Sequence, residues 1–524
     1  MSTENLKNIL FIMADQLRWD YLGFAGHPFI KTPNLDRLAA RGLNFTNTFI
    51  QGTVCGSSRA SFYTGRYVSS HGATYNNYPL RADEWTLGDH LRQAGLRTAL
   101  VGKTHMKVLP EDLRRLGIDP DSESGRLRIQ AGFEPFERDD GLHSDKSLRP
   151  DLRYNRILKE QGFDGDNPWH SWANSGVDEN GRIQSGWFLK NVRLPARIPE
   201  QWSETAYMTN RAMDFIDTHG NEPWCLHLSY IKPHWPYIAP APYHDLYAND
   251  AVVPANRHER ERHNDHPVFA AFRAHRESRV FSDEVKRAHV IPAYMGLISQ
   301  IDHHIGRLLD YLEKKQLLDT TLIVFTSDHG DYLGDHWLGE KEMFFESALR
   351  IPLLVVDPRP SADATRGTVS ADLVESIDLI PTFMDVVGAR WPSHILEGKS
   401  LAPALQGKPS QADAVFSEFD YSLRTARKTL GLEPRECRAY MVRTRQWKYA
   451  RYSGFPPQLF NLWDDPEESH DLGRDSGYAP IRAELDERLH RYHENRLDRI
   501  TISDEAIACN TARSTERGFY YGHW

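Results

Sequence analysis

The sequence predicts an α/β fold with a central, mostly parallel sheet, and three observations carry that expectation. Strand-like runs recur at 8–14, 97–101, 223–230 and 322–327, the first and last apolar enough to be buried on both faces. Helical segments alternate with them, as crossovers between parallel strands require. After about Ser410 the texture changes to short alternating segments, which predicts a smaller C-terminal α+β domain with a short antiparallel sheet. The expected division is therefore a catalytic α/β domain over 1–410, an α+β domain over 411–500 and a tail over 501–524.

Taken in order, the first strand ends in Asp15-Gln16. Thr32-Pro33 then opens a helix through Leu35, Leu38 and Ala39, closed by Gly42. Thr86 caps another, stopped at Gly95, and the strand over 97–101 runs into Gly102-Lys103-Thr104-His105. The stretch 110–202 is dense in glycine, aspartate and arginine and weak in periodicity. It reads as an elaborated insertion, either walling a substrate pocket or a plain excursion of the scaffold. A helix over 203–217 precedes the strand that leads into Lys232-Pro233-His234-Trp235-Pro236.

Leu297, Ile298, Ile301, Ile305, Leu308, Leu309 and Leu312 lie at helical spacing, with His303 and His304 on other faces and expected in water. The run 322–327 delivers Asp328-His329-Gly330; 351–355 reads as a strand and 377–387 as a helix. Beyond 410, strands are expected at 440–443, 448–452 and 458–462, then a helix over 480–496. The closing Phe519-Tyr520-Tyr521-Gly522-His523-Trp524 is too aromatic to rest in water. It should dock on a neighbouring subunit or on the chain's own body.

Net charge is −9 with no long basic run, which argues against nucleic acid and acidic membranes as partners. Four cysteines, Cys55, Cys225, Cys437 and Cys509, are too scattered for a disulfide framework. No signal peptide or bilayer-length apolar stretch is evident. A soluble cytoplasmic protein is expected.

Chemistry concentrates at Val54-Cys55-Gly56-Ser57-Ser58-Arg59-Ala60-Ser61-Phe62-Tyr63-Thr64-Gly65-Arg66. Cys55 sits where a loop becomes a helix, so unpaired N–H groups and the helix dipole favour an anion there. Arg59, one turn on, reaches back to the same point with a fixed fork of donors. Two distant strands end in Asp15-Gln16 and Asp328-His329. At the carboxyl edge of one sheet these four side chains, with Cys55, would converge on a divalent cation.

The stretch from Cys55 to Thr64-Gly65 resembles the maturation motif of type I sulfatases, with Ser57 where that family carries proline. The resemblance extends along most of the chain, to the alkaline-phosphatase-like superfamily that holds these sulfatases and the phosphonate monoester hydrolases. It rests on Asp15, the Cys55 motif, Lys103-Thr104-His105, Pro233-His234-Trp235-Pro236, Asp328-His329-Gly330, and Lys341 in Leu338-Gly339-Glu340-Lys341. Leu459-Phe460-Asn461-Leu462 with Asp465-Pro466-Glu467 resembles a segment of the small sulfatase domain. Asp15-Gln16 and Asp328-His329 look more like the phosphonate monoester hydrolases, whereas Lys103-x-His105 is the sulfatase pattern.

The resemblance implies an alkaline-phosphatase-like sandwich and hydrolysis of sulfate monoesters, arylsulfatase-like, through a formylglycine made from Cys55 and a sulfated hydrate intermediate. Arg59 would orient the modified residue. Asp15, Gln16, Asp328, His329 and position 55 would hold one divalent metal, manganese or calcium, the imidazole favouring manganese. Lys103 and Lys341 would neutralise the transferring group. His234 or Lys341 would protonate the departing alkoxide, and His105 would take the second hydroxyl proton. Asn76, in Tyr75-Asn76-Asn77-Tyr78, either touches a substrate oxygen or makes a turn. Expected partners are a small sulfate or phosphonate ester, a formylglycine-generating enzyme and further copies of the chain in a dimer or tetramer. Two other readings stay open: a phosphonate monoester or phosphodiester hydrolase with the same site, and a catalytically silent binding protein in which Cys55 stays a thiol.

Overall fold

The computed structural model describes residues 6–148, 152–263, 266–410, 412–522 and 524. Among the described residues, ten strands precede residue 380: β1 (Asn8–Asp15), β2 (Leu43–Phe49), β3 (Arg97–Gly102), β4 (Glu134–Arg138), the short pair β5 (Ser175–Val177) and β6 (Ile183–Ser185), β7 (Trp224–Pro233), β8 (Thr321–Ser327), β9 (Arg350–Val356) and β10 (Thr368–Glu375). Eight of them form one sheet in the order β10-β2-β9-β8-β1-β7-β3-β4. β9 pairs antiparallel with both β2 and β8, and the other pairings are parallel. The expected mostly parallel α/β sheet is what the chain forms.

β1 shows why its sequence is apolar throughout. Ile9, Phe11 and Met13 point into one core, Leu10, Ile12 and Ala14 into the other, and all six are fully buried. The first core holds the helices Cys55–Thr64, Leu87–Gln93 and Leu379–Val386; the second holds Glu204–His219 and the long helix Glu284–Lys314. Phe11 stacks on His227 at 4.4 Å and meets Phe383 edge-on at 5.6 Å; truncating it to alanine would cost about 3–5 kcal/mol.

Four further strands, β11 (Ala414–Asp420), β12 (Arg438–Thr444), β13 (Trp447–Tyr452) and β14 (Gln458–Asn461), make an antiparallel sheet in sequence order. The helix Ala479–Glu494 covers one face through Leu485 and Leu489, while Phe419, Met441 and Phe460 on the other join the main core. The Glu418 N–H of β11 donates to the Gln51 carbonyl at 2.9 Å, so this sheet braces the loop that leads to Cys55.

Several elements depart from expectation. The stretch 110–202 is not only an excursion, because β4 within it completes the edge of the main sheet beside β3. Pro135 in that strand suits an edge. The long helix starts at Glu284, capped by Asp283, well before its clear apolar periodicity begins. His304 is buried, not solvated, with Nε2 2.6 Å from Glu200 Oε1; His303 is exposed as expected. Of the tail's described aromatics, Phe519, Tyr520, Tyr521 and Trp524 are all exposed.

Candidate active site

Four adjacent strands, β8, β1, β7 and β3, deliver polar residues at their carboxyl ends. Asp15 and Gln16 follow from β1, Asp328 and His329 from β8, Lys103 from β3, and His234 from β7. Parallel strands collect ligands at that edge. The helix Cys55–Thr64 points its N-terminus at the same place; every residue in it is buried, and Gly65 ends it at φ 64°. Gly56 lets the Asn76 loop close over this end, since a Cβ there would lie 2.9 Å from Asn76 Cα. Asn76 Oδ1 accepts the Gly56 N–H at 2.7 Å, and Asn77 turns at φ 63°. The expected turn forms, with the Tyr78 N–H donating to the Tyr75 carbonyl at 3.2 Å.

Asp15, Cys55, Asp328 and His329 are all buried, and one ligand atom from each lies within 4.8 Å of those of the others. His329 Nδ1 is 2.8 Å from the Gly330 carbonyl, so it carries the proton; Nε2 faces the cluster 3.0 Å from Cys55 Sγ. Two carboxylates and an imidazole nitrogen turned inward fit a divalent cation. Gln16 stands beside them at φ 63°. Its Oε1 accepts from Lys341 Nζ at 2.9 Å, its N–H donates to Asp328 Oδ1 at 3.0 Å, and its Nε2 donates to Tyr237 and Asp331.

Arg59 spends its donors on four partners. Nε donates to Asp328 Oδ2 at 2.8 Å, Nη2 to Asp15 Oδ2 at 3.2 Å, and Nη1 to the Lys103 carbonyl and Ser229 Oγ at 2.9 and 2.8 Å. The planar fork, one turn along the helix from Cys55, thus holds both acids at once. Lys103 Nζ lies 2.5 Å from Asp15 Oδ2. Burial opposes its charge, but Asp15 and Cys55 outweigh that and raise its pKa. Burial would also push the Cys55 thiol up; Lys103, Lys341 and His329, with a hydrogen bond from His105, hold it well below its usual value.

Lys341 Nζ lies 3.4 Å from His234 Nε2 and 3.5 Å from Glu340 Oε2. His234 Nδ1 is 2.8 Å from the Trp235 carbonyl, which makes Nε2 the acceptor for Lys341. Burial first, then Lys341, holds His234 down to about 4. His105 takes φ 55°, with its N–H on Asp140 Oδ1 at 3.0 Å. Sequence reasoning missed Ser229, Asp140, Asp331 and Tyr237. Asp331 alone left a trace, three residues after Asp328.

Comparison with known families matches residues 7–389 to the sulfatase family and residues 334–495 to the C-terminal family of N-sulphoglucosamine sulphohydrolase. A multifunctional alkaline phosphatase superfamily protein of Trinickia caryophylli is 31% identical, over 94% of this chain and 96% of its own. An arylsulfatase of Clostridium perfringens is 29% identical, over 89% and 90%. Among solved structures, the phosphonate monoester hydrolase of Silicibacter pomeroyi superposes with TM-score 0.82 at 27% identity, over 95% of this chain and 98% of its own. That of Agrobacterium radiobacter gives 0.80 at 26%, over 94% and 97%.

Proposed function

The chain belongs to the sulfatase family and is a hydrolase of sulfate or phosphonate esters, and on that premise we propose that position 55, oxidised from cysteine to formylglycine, attacks sulfate monoesters with aryl leaving groups. One observation carries the reading: Cys55 opens a helix against Asp15, Asp328 and His329, between Lys103 and Lys341.

A divalent cation on Asp15, Asp328 and His329, with Gln16 adjoining, would polarise a sulfuryl oxygen and ease deprotonation of the nucleophile. The imidazole in that donor set suits manganese better than calcium. Arg59 fixes both carboxylates, and Lys103 pairs with Asp15. Lys103 and Lys341 place ammonium charge where the transferring group gathers negative charge. Because His234 accepts from Lys341, the proton of that pair rests on Lys341, which is the donor to the departing oxygen. His105, beside position 55, takes a proton there as product leaves. A formylglycine-generating enzyme is the partner this chemistry requires. The exposed aromatics of the tail support association with further copies of the chain.

A second reading, phosphonate monoester or phosphodiester hydrolysis by the same residues, is favoured by the Asp15-Gln16 and Asp328-His329 pairs and by the likeness to phosphonate monoester hydrolases. The ratio of kcat/KM for phenyl sulfate to that for a phenyl phosphonate monoester separates the two. Mass spectrometry of the tryptic peptide spanning Cys55 tests the nucleophile. Sulfur replaced by a carbonyl oxygen is expected; an unmodified thiol in protein made with the maturing enzyme would refute the mechanism.

A further inference from the structure

A cavity of about 660 Å³ is lined in part by Trp235 and Glu340, the chain neighbours of His234 and Lys341, and the chemistry above makes no use of it. Three segments wall it: the turn after β6 with Trp187 and Phe188, the loop after β7 with Trp235, and the stretch 276–290 where the long helix begins. Trp187 and Trp235 meet at 5.6 Å between ring centroids and 59° between planes, so two indoles form a corner. Trp235 lies 4.4 Å from the His234 ring, and His234 Nε2 lies 3.4 Å from Lys341 Nζ. Glu340, the neighbour of Lys341, also lines the cavity. Two of its wall residues thus touch His234 and Lys341.

Phe188 and Val285, at the rim, are 58% and 80% exposed. Large apolar side chains left in water around an aromatic hollow mark a place that something apolar covers. We propose that this cavity receives the leaving group of the ester, and that the group is an aromatic ring held by Trp187, Phe188 and Trp235. This rests on the ester-hydrolase reading. An aryl ring meets aromatic walls face-to-edge and needs no hydrogen bonds beyond its reacting oxygen.

The test compares kcat/KM for phenyl sulfate and for a short alkyl sulfate in the full-length protein and in Trp187→Ala and Phe188→Ala. Phe188 stands largely in water, so its variant folds whether or not Trp187→Ala does. Losses of about tenfold or more are expected on the aryl ester, as for removing one ring contact, with the alkyl ester changed by less than about twofold. Equal losses on both esters, or none on either, would overturn the assignment. Binding of 4-nitrophenol, read from tryptophan fluorescence, separates the cavity from the reaction. If no ester is cleaved but nitrophenol binds and both variants weaken it, the cavity stands and the ester-hydrolase reading falls. If esters are cleaved but the variants bind nitrophenol unchanged, the cavity assignment falls alone.

Discussion

Arg59 holds Asp328 and Asp15 at once, its Nε 2.8 Å from Asp328 Oδ2 and its Nη2 3.2 Å from Asp15 Oδ2, with all three side chains fully buried. One guanidinium thereby joins the ends of β1 and β8 to the helix that carries Cys55. Removing one partner of a buried ionic cluster leaves uncompensated charge, at a cost of about 3–5 kcal/mol. Arg59→Ala is therefore expected to lower unfolding stability by that amount in urea titration. Arg59→Lys should fall between, because an ammonium cannot reproduce the fork. An alanine variant within about 1 kcal/mol of wild type would contradict this account of the cluster.

Metal should leave with its ligands. Asp328→Asn and His329→Ala are expected to carry metal at background by elemental mass spectrometry and to lose at least about 100-fold in activity. A chelator should lower the melting temperature of wild type, since a ligand at about 100 times its Kd stabilises by about 2.7 kcal/mol. The same chelator should leave Asp328→Asn unmoved. Wild-type metal content in both variants would place the ion elsewhere.

The sheet and the cluster were legible because their signals are local. Runs such as Ile9 to Ala14, apolar on both faces, announce a central strand, and polar residues directly after them announce the sheet edge. Cys55, Asp15, Asp328, His329, Lys103, His234 and Lys341 do come together. The helical spacing of Arg59 from Cys55 is readable, while its grip on two acids from other strands is not. Ser229 and Asp140 were invisible for the same reason: they act through contacts across 170 and 35 residues of chain, to Arg59 and His105. His304 looked solvated because it lies off the apolar stripe, yet Glu200 arrives from another segment to bury it. β4 was hidden by Glu134 and Pro135, which an edge strand tolerates and a central strand does not.

Stability should fall with rising pH through a buried acid pair, Glu375 and Asp378. Glu375 takes a hydrogen bond from Tyr67 at 2.6 Å and one from the Phe416 N–H at 2.8 Å, and its own N–H donates to Asp378 at 2.9 Å. Burial, and then the charge of Asp378, pushes the Glu375 carboxyl up to about 8; burial pushes Asp378 up to about 6. A carboxyl whose folded pKa exceeds its unfolded value keeps a proton that the unfolded chain has released. The stabilisation is complete below the unfolded pKa of 4.5 and lost as pH climbs through about 8. The slope is at most about 1.4 kcal/mol per pH unit for each proton. Urea midpoints from about pH 5 to about pH 9 should decline for wild type and decline less for Glu375→Gln. Parallel curves would show that Glu375 titrates normally.

The approach of β3 to β7 is the tightest constraint behind Lys103. Gly102 takes φ 108°, and a Cβ there would lie 2.0 Å from the Ser229 carbonyl oxygen. Both strands hold an Arg59 acceptor at this level, the Lys103 carbonyl and Ser229 Oγ. A methyl group must part the strands and move both acceptors. Gly95 supplies the control: its φ is 88°, but a Cβ there would meet nothing within 4 Å. Gly95→Ala should carry only the strain of the left-handed region, about 1–2 kcal/mol. Gly102→Ala should cost at least about 3 kcal/mol in urea titration, because the clash is with backbone and adds to that strain. Activity should fall further still in Gly102→Ala, since Arg59 then loses its grip on the acids, and Gly95→Ala should keep wild-type turnover. Equal losses of stability in the two variants would mean that the backbone gives way there at no cost, and that close strand contact does not position Lys103.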